Sequence, residues 1–143
     1  MTRLIFLKLT KINIVIIKAR FIATRLNLVG RNDIETAFAN MYSDQLTDLF
    51  NRLPEPSENN SLITTLFRNY LRPFEDRLMK NNGFLAGTKL TYADLYLSSM
   101  LENLKEQKNE TLKDFPFINA LDNRVRNMLR IKDYLQNRAS LIY

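Results

Sequence analysis

The chain has 143 residues, of which 45% are hydrophobic and 25% are charged, a composition typical of one globular domain. It contains neither cysteine nor histidine, which excludes disulfides, thiolate metal sites and the Ser/His or Cys/His pairs of many nucleophilic enzymes. Its three glycines, Gly30, Gly83 and Gly87, are too few and too scattered for a phosphate-binding glycine-rich loop. We predict no metal site.

The formal net charge of +6 is concentrated at the N-terminus. Residues 1–31 contain seven basic and no acidic residues, whereas residues 32–143 contain 14 basic and 15 acidic residues. The body of the domain therefore lacks the clustered basic surface typical of nucleic-acid-binding proteins. We predict no nucleic-acid partner.

Residues 1–18 mix aliphatic and basic side chains. The clean apolar run at residues 14–17 is far shorter than the roughly 20 residues that span a bilayer, so we predict no transmembrane span. A secretory signal and a mitochondrial presequence both stay open, although the first lacks a clear cleavage site and the second lacks serine. We favour an atypical segment left by a truncated or altered gene start. Residues 4–17 are also the one stretch with strand character.

Apolar residues at helical spacing follow this segment. They predict helices over residues 19–28, 32–53, 61–80, 92–106, 116 to near 130, and 131–138. Gly30 suits the left-handed residue that stops the first of these helices. A Pro/Asn-rich loop is predicted over residues 54–60, and a polar loop or frayed helix end over residues 105–114. The pattern predicts an all-α fold, a helical bundle of five to six helices.

The strongest local signal lies in residues 83–104, GFLAGTKLTYADLYLSSMLENL. Thr91 is predicted to cap a helix, with its hydroxyl accepting the N–H of Asp94 while the Asp94 carboxylate accepts the N–H of Thr91. Leu90 and Leu95 fall at the two positions of a hydrophobic staple. Because this helix is apolar on nearly every side, we expect it to be buried at the centre of the bundle.

Three stretches in order carry a family resemblance. They are FIATRLNLVGRNDIETAFANMYSDQLTDL, the capped segment GFLAGTKLTYADLYLSSMLENL, and FPFINALDNRVRNMLRIKDYLQNR. Together they resemble the C-terminal helical domain of glutathione S-transferases, with the best likeness to the sigma class. The resemblance implies an atypical segment over residues 1–18, a remnant of the link from a thioredoxin-like domain over 19–31, and the helical domain over 32–143.

The family's thioredoxin-like domain binds glutathione and supplies a Tyr or Ser that stabilises its thiolate. Nearly all of that domain has no counterpart here, and the family's glutathione-binding Gln-Ser pair falls at Ile14 and Val15. The resemblance therefore implies a cytoplasmic family member that conjugates glutathione to small electrophiles as a homodimer. It also implies that this chain is incomplete, inactive alone and without a catalytic residue. One alternative is a non-catalytic helical module for protein interaction. Another, which rests only on residues 1–18, is an N-terminally targeted or membrane-associated helical protein.

Two residues are predicted site residues by this resemblance. Asp44 matches an acidic residue that reaches the amino group of glutathione bound to the partner subunit, and the alternative is a solvated charge paired with a nearby basic residue. Phe50 matches a position lining the co-substrate pocket, although we favour core packing. Four tyrosines do not match the catalytic position and are expected to pack as amphipathic residues: Tyr42, Tyr70, Tyr92 and Tyr96.

Overall fold

The computed structural model describes residues 2–52 and 60–138, with side chains for residues 14–52, 65–102 and 112–138. Regular structure in these ranges is entirely α-helical, which confirms the predicted all-α bundle. In chain order the helices are α1 (Thr2–Arg25), α2 (Asp33–Arg52), α3 (Asn60–Lys80), α4 (Tyr92–Leu112), α5 (Pro116–Arg126) and α6 (Leu129–Asn137). The tail 139–143 and the predicted loop after α2, up to residue 59, lie outside the described residues.

Two stretches are more helical than the sequence predicts. Residues 4–17 lie inside α1 rather than in a strand, because the segment has no glycine or proline and its Leu and Lys residues favour a helix. Residues 105–112, predicted as a polar loop or frayed end, continue α4. Leu112 at the end of α4 is 3% exposed. Burial of this side chain in the core stabilises the last turns of the helix.

The turn between α1 and α2 differs from the prediction in one residue. Asn27, with φ of 55°, occupies the left-handed position after α1 that the sequence assigned to Gly30. The N–H of Leu28 then donates to the carbonyl of Ala23 at 2.8 Å, which closes the helix end in the usual way. Asn32 caps α2 from the position before it, since its Oδ1 accepts the N–H of Glu35 at 2.9 Å.

Helix α4 is the central element of the bundle, since it contacts α1, α2, α3 and α5. Its residues Ala93, Leu97 and Leu101 are fully buried. The largest fully buried side chains on the surrounding helices and loops are Leu46, Leu49, Phe67, Leu71, Phe74, Leu78, Leu85, Phe115 and Ile118. Burial of these side chains is the main stabilising contribution to the fold.

The start of α4 is closed by a buried carboxylate. Asp94, with 0% exposure, accepts hydrogen bonds from the N–H of Thr91 at 2.7 Å, the hydroxyl of Thr91 at 3.0 Å and the N–H of Leu85 at 2.9 Å. The Thr91 hydroxyl thus donates to the carboxylate instead of accepting the N–H of Asp94. Burial raises the pKa of Asp94, and these hydrogen bonds oppose the increase. Leu90 and Leu95 are partly buried against the core.

A second buried carboxylate closes the start of α5 from another helix. Phe115 at the N-cap of α5 offers no side-chain hydrogen bond. Instead Glu75 of α3, 8% exposed, accepts the N–H groups of Phe117 and Ile118 at 2.8 and 2.9 Å. This contact attaches α5 to α3 through the free N–H groups of its first turn.

A polar cluster attaches α1 to the central helix. The hydroxyl of Tyr92 donates to Oδ1 of Asn40 at 2.6 Å and accepts a hydrogen bond from Nε of Arg20 at 3.2 Å. The N–H of Tyr92 also donates to the carbonyl of Leu28 at 2.8 Å. One residue at the start of α4 therefore holds α1, α2 and the turn between them.

Replacing Asp94 by alanine removes the acceptor of three hydrogen bonds at a buried position. We expect the free energy of unfolding to fall by about 3 kcal/mol. Asp48→Ala, at an exposed position of α2, is the matched control and should change it by less than about 0.5 kcal/mol. Thermal denaturation followed by circular dichroism compares the two variants, and equal shifts in Tm would contradict the assigned role of Asp94.

Tyr92→Phe keeps the buried ring and removes only the hydroxyl. We expect it to lower the free energy of unfolding by about 1–2 kcal/mol, because Oδ1 of Asn40 loses its donor and Arg20 loses an acceptor. Tyr134→Phe on α6, where the tyrosine is 63% exposed, is the control and should have little effect. Urea unfolding of both variants measures the difference, and identical midpoints would rule out a stabilising cluster.

Candidate functional site

Asp44, the predicted contact for a glutathione amino group, lies on the exposed side of α2. Its side chain is 60% exposed, and its Oδ1 pairs with the guanidinium of Arg20 in α1. The same Arg20 nitrogen lies 3.5 Å from the carbonyl oxygen of Asn40. The acidic group is therefore fixed at the junction of α1 and α2 while most of its side chain remains open to solvent.

The sequence predicts an ion pair between Asp44 and a basic residue as one of two alternatives, but it does not identify Arg20 as that residue. The sequence predicts a nearby basic residue as the alternative to a ligand contact, and the observed partner is 24 residues away in the chain. Nothing local in the sequence of α1 singles out Arg20 among its basic residues. Only the packing of α1 against α2 brings the two charges together.

Phe50, the second predicted site residue, lies in the core. It is 9% exposed and belongs to the buried apolar cluster. It follows Asp44 by about 9 Å along α2, at 1.5 Å per residue, but occupies the buried side of the helix. The structure therefore does not bring Asp44 and Phe50 onto one surface.

An apolar cavity of about 290 Å³ lies between α1 and α4. Its lining is Ala19, Ile22, Ala23, Leu26, Leu28, Tyr92, Leu95 and Tyr96. The cavity contains no charged side chain, so it suits apolar groups. The sequence did not predict it, because its walls come from two helices about 70 residues apart in the chain.

A second, more polar cavity of about 220 Å³ lies among α4, α5 and α6. Its charged groups are already arranged in pairs, with Glu102 bonded to Arg138 and Arg126 bonded to the buried Asp122 at 2.9 Å. Asp122 also accepts a hydrogen bond from the hydroxyl of Ser98 at 2.6 Å. Because the guanidinium of Arg138 lowers the pKa of Glu102, this pair favours the charged form of both groups.

The tyrosines of the bundle are placed as packing residues. Burial raises the pKa of both Tyr42 and Tyr96, so both phenols remain protonated near neutral pH. The hydroxyl of Tyr96 lies 3.3 Å from that of Thr47.

Across the described residues, no three acidic side chains are grouped closely enough to hold a metal ion, and no helix is both long and apolar enough to cross a membrane.

Comparison with known proteins gives consistent matches. A family model described as glutathione S-transferase, C-terminal domain, matches residues 36–138. Glutathione S-transferase A of Cavia porcellus is 32% identical over 126 residues, which cover 81% of this chain and 58% of that protein. Glutathione S-transferase A1 of Bos taurus is 33% identical over 127 residues, which cover 81% of this chain and 57% of that protein. The chain thus spans a little over half the length of these curated relatives.

Solved structures support the same fold. A pi-class glutathione S-transferase of Onchocerca volvulus superposes with a TM-score of 0.77 at 23% identity, covering 86% of this chain and 64% of that one. Prostaglandin synthase D of Nilaparvata lugens superposes with a TM-score of 0.73 at 24% identity, and the match covers 84% of this chain and 65% of that one. From the match to the family model and the sequence identity to the curated relatives, we conclude that the chain belongs to the glutathione S-transferase family, whose C-terminal helical domain it contains.

Proposed function

We propose that this chain supplies the helical half of an enzyme that conjugates glutathione to small electrophiles. Membership of the family supports the proposal, and the transferase names of the curated relatives do not favour a non-catalytic interaction module. The observation that carries the proposal is the exposed carboxylate of Asp44, held in place by Arg20. It is the acidic residue that the resemblance assigns to glutathione.

The geometry of Asp44 suits an ammonium group. Arg20 contacts Oδ1 of Asp44, and the side chain remains 60% exposed, so a second cationic donor has access to the carboxylate. A hydrogen bond between a carboxylate and an ammonium is among the stronger ones in proteins. In the proposed homodimer, Asp44 would bind the amino group of glutathione held by the partner subunit.

The other parts of the proposed enzyme rest on the resemblance. The thiolate-stabilising group and most of the glutathione site belong to a thioredoxin-like domain, of which residues 19–31 would be the end and residues 1–18 an atypical replacement. Conjugation would then need that domain as well as the helical one. Assignment to the sigma class and a cytoplasmic location are proposals of the same kind. A place for Phe50 beside the electrophile is a proposal of the same kind, and the burial of Phe50 favours core packing instead.

The test joins the thioredoxin-like domain of the Cavia porcellus relative ahead of residue 19 and measures conjugation of glutathione to an activated aryl halide. Loss of a charged hydrogen bond in Asp44→Asn should raise KM for glutathione about tenfold with little change in kcat, because the contact is made equally in the ground and transition states. Asp48→Asn, at an exposed position on the same helix, is the control and should leave both constants unchanged.

N-acetylglutathione separates the proposed contact from a general effect of charge. Its amino group is blocked, so its KM should already be high and should not respond to Asp44→Asn. A folded chimera without conjugating activity would contradict the proposed enzyme. An active chimera in which Asp44→Asn affects both thiols alike would contradict only the role of Asp44.

A further inference from the structure

Arg20 and Asp44 form an ion pair at the open edge of the junction between α1 and α2. Arg20 belongs, with Ile16, Ala19 and Ala23, to the stripe of α1 that packs on the bundle, which we call the inner stripe of α1. Its side chain is still 34% exposed, and that of Asp44 is 60% exposed. A positive and a negative group in direct contact therefore both remain accessible to a ligand.

The guanidinium of Arg20 is held in a fixed orientation and still has unused donors. Its Nε donates to the hydroxyl of Tyr92 at 3.2 Å, and its Nη2 contacts both Asp44 and the carbonyl oxygen of Asn40. A guanidinium carries five N–H groups, and the two on Nη1 have no hydrogen-bond partner among the residues that the structure describes. In the same part of the chain, Oδ2 of Asp44 accepts no hydrogen bond. Each member of the pair therefore offers a free atom to a ligand.

We propose that this pair binds the α-amino-acid end of the γ-glutamyl residue of glutathione as a zwitterion, with Arg20 as the partner of its carboxylate. The inference rests on the proposed function, which assigns the ammonium of the same residue to Asp44. An α-amino acid carries its ammonium and its carboxylate on one carbon atom, so a ligand whose ammonium contacts Asp44 has its carboxylate beside the neighbouring guanidinium. The four charges then alternate in sign, and each contact is a charge-assisted hydrogen bond.

The neutrality of the pair determines which ligands it favours. A simple amine is attracted by the carboxylate of Asp44 but repelled by the charge of Arg20, and the reverse holds for a simple acid. A zwitterion presents an opposite charge to both groups and is repelled by neither. Arg20 therefore adds specificity to the contact, because it favours a ligand with a free α-amino acid group over one that carries an amine alone.

The pair differs from an ordinary surface ion pair in how firmly it is held. Arg68 of α3 and Asp114 also pair, at 3.0 Å, and their side chains are 62% and 54% exposed. Such exposed pairs lose much of their electrostatic gain to the entropy cost of holding two long side chains. Arg20 is fixed by Tyr92 and Asn40 before any ligand arrives, and this preorganisation lowers the cost of binding.

An NMR titration of the isotope-labelled full chain with three ligands tests the proposal. S-methylglutathione has both charged groups, its N-acetyl derivative lacks the ammonium, and its γ-aminobutyryl analogue has hydrogen in place of the γ-glutamyl carboxylate. We expect S-methylglutathione to shift the side-chain Nε–H signal of Arg20 and the backbone amide signals of Asn40 and Asp44. Each analogue should bind about tenfold more weakly, because it lacks one hydrogen bond between charged groups.

Variants then assign each group of the ligand to its residue. In Arg20→Gln, S-methylglutathione and the γ-aminobutyryl analogue should bind equally, while N-acetylation still weakens binding. In Asp44→Asn, N-acetylation should have no effect, while loss of the carboxylate still weakens binding. The matched control, Arg68→Gln with Asp114→Asn, removes the exposed pair on the other side of the bundle and should leave all three affinities unchanged. Circular dichroism establishes that each variant is folded.

The three ligands can overturn the proposal with the unmodified chain, whatever the stability of the variants. Equal affinity for S-methylglutathione and the γ-aminobutyryl analogue would contradict the role of Arg20, and so would the absence of shifts at the pair with every ligand. Equal weakening of all three ligands in Arg20→Gln would show a purely structural role and would also overturn the proposal. The titration involves no conjugation step, so its outcome is separate from the activity of the chimera, which decides the proposed function.

Discussion

The bundle depends on how the first turn of α4 satisfies its free N–H groups without water. The buried carboxylate of Asp94 accepts hydrogen bonds from the N–H of Thr91 and, in the preceding loop, from the N–H of Leu85. The carbonyl of Leu28 accepts a hydrogen bond from the N–H of Tyr92. A buried donor without an acceptor costs about 1–3 kcal/mol, so these contacts allow a helix to begin inside the core. Its central position lets four other helices pack around it.

The start of α5 is also closed by a buried carboxylate, but this one comes from another helix. Asp94 caps its own helix, three residues from Thr91 in the chain, whereas Glu75 caps α5 from 42 and 43 residues away. The first carboxylate fixes a local conformation, and the second fixes the position of one helix relative to another. Each carboxylate is almost fully buried, and the hydrogen bonds it accepts offset much of the cost of removing it from water.

This difference explains what the sequence predicted and what it missed. The Thr91–Asp94 spacing, the helical period and Pro116 at the start of α5 are local signals, and they gave the all-α bundle and most helix bounds. The cap from Glu75 and the pairing of Arg20 with Asp44 depend on tertiary packing, which leaves no pattern in nearby residues. The prediction from local propensity was wrong at the end of α4. There the burial of Leu112 in the core stabilises helix in a stretch whose polar sequence favours a loop.

Helix α1 connects the packing of the bundle to the proposed glutathione contact. Its inner stripe contributes the arginine that holds Asp44, so the geometry of the proposed glutathione contact depends on the docking of α1. Tyr92 is shared between that cluster and the start of α4, so a change at the central helix reaches Asp44 through two hydrogen bonds. The outward side of α1 has no such role in the fold. The inner stripe of α1 therefore serves both the packing of the bundle and the geometry of the proposed site.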